Sequence, residues 1–236
     1  MKKMDVTRTD DSVFVETLAE SDVIKIERVV ARGQASEAAS FCKQEALDFL
    51  IMLKGELELE YKGEKEAVTL RSGDSIMTEP GEENRVEATS ERQETVWVKI
   101  SAAGKNRPGI FPAPDAVKNA PRVRNVFRDT AIIESLVETE SVRIERVISA
   151  GQVAGAPCVQ GVHEWLMLVS GGATIATEDE KLELAPGDHI FIPANTKSQV
   201  LDTASFDKTI WIAAYWKGES DSRRTMQGRF PVSTGY

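Results

Sequence analysis

Two stretches of the chain decide how the rest is read: residues 15–34, VETLAESDVIKIERVVARGQ, and residues 133–152, IESLVETESVRIERVISAGQ. They align without a gap at an offset of 118, and both contain the tripeptide IER. Glu16/Glu134, Ile26/Ile144, Arg28/Arg146 and Gly33/Gly151 are among the identical pairs. Downstream, DFLIMLKGELEL from Asp48 matches EWLMLVSGGATI from Glu164 at offset 116. LRSGDSI from Leu70 then matches LAPGDHI from Leu184 at offset 114. The offset shrinks stepwise, so the deletions fall in connecting loops, where changes of length are best tolerated. The chain is one structural module written twice.

Each copy predicts short strands. ELELEY (residues 56–61) alternates charged and apolar residues, the period of a strand with one buried face. Gly73-Asp74 and Pro186-Gly187-Asp188 interrupt apolar runs as hairpin turns do. Helical periodicity is confined to one expected turn at residues 115–119. Strands without interleaved helices imply an all-β protein, two sandwiches or barrels in tandem. Residues 101–122 hold Pro108, Pro112, Pro114 and Pro121 and read as an extended linker. The expected division is a first barrel over 1–100, the linker over 101–122, a second barrel over 123–216 and a polar tail over 217–236. That tail has no counterpart in the first copy; it is expected to be loose or to drape over the other half through Phe230 and Tyr236.

Hydrophobic residues make up 41% of the 236 and charged residues 28%, the balance of a packed protein. The net charge of −9, with no basic run, argues against a nucleic-acid or anionic-membrane surface. No stretch approaches the ~20 apolar residues that span a bilayer, and the N-terminus lacks an apolar signal core. Two cysteines, Cys42 and Cys158, suit a reducing compartment, so the expected location is the cytoplasm. There are only two histidines, His163 and His189, both in the second copy, which excludes any site needing three imidazoles in each half.

The segments GDSIMTEPGEEN from Gly73 and GDHIFIPANTKS from Gly187, with the spacing from Glu164 to Gly171, resemble the signatures of the cupin superfamily in its two-domain form. The resemblance runs from about Val13 to Trp216. It implies two tandem jelly-roll (double-stranded β-helix) barrels, each with an interior site that in many cupins binds a metal through an H-x-H pair, a glutamate and a further histidine. Counting along the signatures, those positions fall on Phe41, Lys43, Asp48 and Asn84 in the first copy, and on Pro157, Val159, Glu164 and Ser198 in the second. Phe offers no donor atom and Lys repels a cation, so the usual metal site is expected to be missing.

Two functional readings follow. In the first, the protein is a small-molecule-binding module without a cofactor, whose ligand meets Lys43, Asp48 and Asn84 in one barrel and Glu164 and Ser198 in the other. An inward Lys43 beside Asp48 would hold an anionic or hydroxylated ligand, or serve as a base or Schiff-base amine; the plainer alternative is a salt bridge. In the second, the chain is a metal-dependent oxygenase, decarboxylase or isomerase in which Cys158, His163, Glu164 and His189 gather iron, manganese, zinc or nickel in the second barrel. Against that set, His163 and Glu164 are successive strand residues and face opposite ways. Cys42 and Cys158 are equivalent by offset and are read as small residues filling a tight turn, with thiols at the barrel mouths as the alternative. Arg28 and Arg146 interrupt apolar strand faces and need partners, for which a nearby Glu at the contact between the halves is the expected choice. Trp97 and Trp211 are read as core packing. No nucleic acid or membrane partner is expected, and a homodimer is left open.

Overall fold

The computed structural model describes residues 13–106, 123–125, 133–149, 156–178, 180–204, 208–218 and 227–228, the two shortest segments by backbone alone. The described residues are all-β, in two repeats of one plan. In the first, β1 (Phe14–Glu20), β2 (Ile24–Ala31), β3 (Cys42–Lys43), β4 (Leu47–Lys54), β5 (Glu56–Tyr61), β6 (Val68–Arg71), β7 (Asp74–Thr78), β8 (Glu83–Thr89), β9 (Thr95–Ala102) and β10 (Val123–Asn125) follow in order. They form a six-stranded sheet, β1-β2-β9-β4-β7-β10, facing a four-stranded sheet, β3-β8-β5-β6. The second repeat runs β11 (Ile133–Glu138), β12 (Val142–Ser149), β13 (Cys158–Val159), β14 (His163–Ser170), β15 (Ala173–Thr177), β16 (Lys181–Leu184), β17 (His189–Ile192), β18 (Lys197–Thr203), β19 (Thr209–Trp216) and β20 (Gln227–Gly228). Its sheets, β11-β12-β19-β14-β17-β20 and β13-β18-β15-β16, reproduce the same orders.

The strand period sorts the side chains of each six-stranded sheet onto two faces. In β4, Leu50 and Met52 point into the first barrel with Trp97 and Leu57, while Leu47, Phe49 and Ile51 point away from it. In β14, Leu166 and Leu168 turn inward with Trp211, while Trp165 and Met167 point out. The two outward faces pack on each other: Phe49, Ile26 and Ile100 of one repeat share a cluster with Trp165, Met167 and Trp216 of the other. Each fully buried side chain of this size contributes ~1.5–3 kcal/mol, and a contact built this way is a core, not a loose inter-domain surface. Bulges at equivalent places, Leu18 between Thr17 and Ala19 and Leu136 between Ser135 and Val137, turn an extra leucine of each edge hairpin into it.

Arg28 and Arg146 lie on these outward faces. Each is bound to the glutamate opposite it in the register: Arg28 Nη2 to Glu16 Oε2 at 2.5 Å, Arg146 Nη2 to Glu134 Oε2 at 3.2 Å. The sequence expectation of a partnering Glu holds, as does that of core packing for Trp97 and Trp211.

Two expected boundaries are corrected. Val123–Asn125, placed at the start of the second barrel by the sequence, pair antiparallel with β7 of the first. Gln227–Gly228 of the tail pair with β17 of the second barrel in the matching position, so that part of the tail has a counterpart after all. The short strand closes the same sheet edge in each repeat, a need for backbone pairing that side-chain patterns do not register. The expected turn at 115–119, and Phe230 and Tyr236, lie outside the described residues.

Gly55 and Gly171 occupy the same bend in each repeat, at φ +83° and +84°. A Cβ there would sit 2.8 Å from Glu94 O and 2.7 Å from Thr209 Cα respectively, both backbone atoms. Gly171→Ala is expected to cost at least about 2 kcal/mol, from a left-handed backbone and a clash that backbone cannot relieve cheaply. Chemical denaturation checks this, with Gly63→Ala, whose Cβ would meet nothing within 4 Å, as the milder comparison.

Candidate functional site

The first barrel holds a cavity of about 390 Å³, open to solvent on one side. Its apolar wall includes Val29, Leu50, Leu57, Ile76 and Trp97; its polar end is made by Cys42, Gln44, Asp48, Asn84, Lys99 and Glu27. Asp48 and Asn84 thus stand where the sequence put them. Lys43 does not: it is exposed, paired in register with Glu83 on β8, while its neighbours Cys42 and Gln44 line the cavity. The signature is displaced by one residue, because Cys42 opposes Asn84 in the β3/β8 ladder and alternation then sends Lys43 outward. Phe41 leaves the site as well, lying under the Arg85 guanidinium at 5.4 Å.

The ammonium that lines the cavity is Lys99 of β9, which the sequence reading missed. Its signal was there: Lys99 shares the phase of Trp97 and interrupts VWVKI, where the second copy has IWIAA. Asp48 is 9% exposed and accepts a 2.5 Å hydrogen bond on Oδ1 from Ser101 Oγ, across the β4/β9 ladder. Burial pushes its carboxyl above the usual range and the Glu27 charge adds to this, against the opposing pull of the Ser101 bond and Lys99. Glu27 is held low by Lys25 and Lys99 although burial works the other way. Gln44 Nε2 donates to Asn84 Oδ1 at 3.3 Å, Asn84 Nδ2 donates to Thr78 Oγ1 at 3.4 Å, and Tyr61 Oη meets the same hydroxyl at 2.7 Å.

The second barrel repeats the frame with other groups. Glu164 is 7% exposed and takes a hydrogen bond from Gln160 Nε2 at 2.9 Å on Oε2. Cys158 opposes Ser198 as Cys42 opposes Asn84. The same one-residue displacement therefore applies, and Gln160 replaces Val159 as the inward residue. Across the β14/β19 ladder Glu164 faces Tyr215, whose hydroxyl is bonded to it, where Asp48 faces Ser101. Burial, with the carboxylates of Glu164 and Glu145, raises the Tyr215 phenol well above its ordinary value, so it remains a donor. Burial likewise raises Glu164, against its bonds to Tyr215 and Gln160. Arg143 covers the Tyr215 ring at 4.7 Å, and Ala213 stands at the place of Lys99.

The alternative metal set does not come together. His163 lies on the outward face, stacked on Phe191 and near Trp216, with Nδ1 accepting from Ala194 N–H at 3.1 Å and Nε2 donating to the Gly218 carbonyl at 2.8 Å. His189 is 1% exposed between the repeats, against Trp165. Glu164 points the opposite way, into the barrel. Cys42 and Cys158 are both free and exposed, which corrects the expectation that they fill tight turns. Among the described residues no three His, Cys, Asp or Glu side chains gather as a metal set. The donors in place do not fit iron, manganese, zinc or nickel: in each barrel a thiol, one carboxylate held by a hydroxyl and amides already hydrogen-bonded, with Glu27 of the first cavity taken by Lys25 and Lys99. In the first barrel Lys99 adds a repelling charge.

Solved structures place the architecture. A cupin 2 conserved barrel domain protein from Leptotrichia buccalis superposes with a TM-score of 0.68 at 12% identity, over 90% of this chain and 92% of its own. This is the cupin fold. Protein Ylba from E. coli, of family DUF861, follows at 0.61 and 13% identity, over 86% and 83% of the two chains. A point mutant of oxalate decarboxylase from Bacillus subtilis superposes at 0.59 and 11%, over 90% and 75%. No protein-family model and no curated protein matches the sequence. At these identities the cupin likeness carries the architecture alone, since function resides in sites grafted onto folds. Among the described residues no helix is long and apolar enough to cross a membrane.

Proposed function

We propose that the chain is a small-molecule-binding cupin whose ligand occupies the first barrel. The observation that carries this is the cavity of about 390 Å³, lined by apolar side chains together with a buried carboxyl, an ammonium and two amides. This is the composition of a ligand pocket: apolar surface for affinity, a few polar groups for orientation. A buried carboxyl with a raised pKa inside a cavity is itself a mark of a functional site. The second barrel serves as the scaffold half, its carboxylate answered by its own Tyr215 and Gln160 and its outward face completing the core between the repeats.

Val86 lines the cavity from β8 and is only partly buried, so a larger side chain there fills the cavity without opening the core. Val86→Phe is expected to lower affinity for any cavity ligand at least tenfold while leaving the unfolding midpoint within a few degrees. Titration calorimetry beside a thermal scan reads both. Full binding retained by the variant would place the ligand elsewhere.

A further inference from the structure

The polar end of the cavity limits what its occupant carries. Glu27 is bound by two ammoniums, Lys25 Nζ at 2.6 Å from Oε1 and Lys99 Nζ at 3.4 Å from Oε2. Lys25 is the nearer and lies outside the lining; Lys99 is the more distant and faces the cavity. The other acid of the lining is Asp48, buried against Ser101. With Asp48 protonated, the lining carries one ammonium, Lys99, and one carboxylate, Glu27, whose nearer partner is Lys25 outside the lining. With Asp48 ionised, the lining carries one net negative charge, which opposes a second anion. The remaining polar groups around Asp48 are uncharged side chains: Ser101 of β9 bonded to it, and in the lining Thr78 of β7, Asn84 of β8, Cys42 of β3 and Gln44 just after it. An entering anion meets Lys99, and its charge favours the proton on Asp48, because like charges do not both persist at short range in a buried site.

We infer, on the reading of the first barrel as the binding site, that the ligand is a small organic acid whose single carboxylate sits between the Lys99 ammonium and the Asp48 carboxyl, with an apolar body against Leu50, Leu57 and Trp97. Its binding takes up one proton, held on Asp48, which then donates to the ligand carboxylate. In the second barrel Ala213 takes the place of Lys99 and Tyr215 that of Ser101, and the nearest guanidinium, Arg143, covers the Tyr215 ring.

The test is calorimetric titration of the full chain with hexanoate and 3-phenylpropionate, and with the primary amide of each. The acids are expected to bind at least tenfold more tightly than their amides. Their affinity is expected to rise as pH falls from 8 to 6, by at most tenfold per pH unit for one proton. Lys99→Met should cost at least tenfold for the acids and Lys99→Arg less; Asp48→Asn should keep acid binding and flatten its pH profile. Ala213 shows that the barrel accepts an uncharged residue at this place, and an unchanged urea midpoint confirms that Lys99→Met is folded. Amides equal to acids, acids unaffected by Lys99→Met, or no acid binding at all would overturn the inference. If uncharged or cationic compounds bind instead and Val86→Phe weakens them, the organic-acid inference fails while the binding reading stands. If Val86→Phe affects no ligand, the binding reading itself fails.

Discussion

Glu134→Ala is expected to destabilise the protein by about 3–5 kcal/mol, while the equivalent change in the first repeat, Glu16→Ala, costs about 1 kcal/mol or less. The two pairs are the same in sequence, IER opposite Glu, and in ladder position. They differ in burial. The Arg146 side chain is 0% exposed and Glu134 19%, whereas Arg28 is 18% exposed and Glu16 41%. Removing Glu134 takes one carboxylate from a guanidinium that is fully buried; Arg28 and Glu16 are both open to screening by solvent. Urea denaturation of the two variants measures the difference. Equal losses would mean that burial at the contact between the repeats does not set the strength of these pairs.

His189 is expected to make the protein acid-labile. It is 1% exposed between the repeats, and burial, with the Arg28 charge from the first repeat adding to it, lowers its pKa from 6.5 to about 4. The unfolded chain therefore binds a proton between these values that the folded chain refuses. Stability from this source is complete above pH 6.5 and is lost as pH falls toward 4, by roughly 3 kcal/mol in all. The raised carboxyls of Asp48 and Glu164 act with the opposite sign, giving stability back as they protonate. The comparison is therefore wild type against His189→Gln, at pH 7 and pH 4.5, because the carboxyls are common to both. The wild type is expected to lose about 2–3 kcal/mol more than the variant over that interval. Equal losses would show that His189 is protonated in the folded protein.

Much of the architecture is legible in the sequence, because a repeat fixes it twice. The IER segments, the paired glycines at 55 and 171 and the alternation of β5 each report a local constraint that the structure obeys. The short strands β10 and β20 escape notice because two or three residues hold too little pattern and are kept by backbone pairing. Where the candidate residues stand is legible to within one residue. Asp48, Asn84 and Glu164 lie on regular strands whose phase is readable. Cys42, Gln44 and Gln160 lie on or beside two-residue strands entered from loops, where counting along a signature slips by one and turns Lys43 outward. Lys99 was hidden differently: β9 is far from the signature in sequence, and only the ladder Leu50↔Lys99 brings it into the cavity.

The central claim, that one barrel holds the ligand and the other supports it, is tested most directly by a crystal structure of the protein purified without chelator and soaked with 3-phenylpropionate. The account predicts density for the acid in the first barrel, its carboxylate at Lys99 and Asp48, and Glu164 still bonded to Tyr215 and Gln160. Density for a metal or for the acid at Glu164, with the first barrel filled only by water, would contradict it.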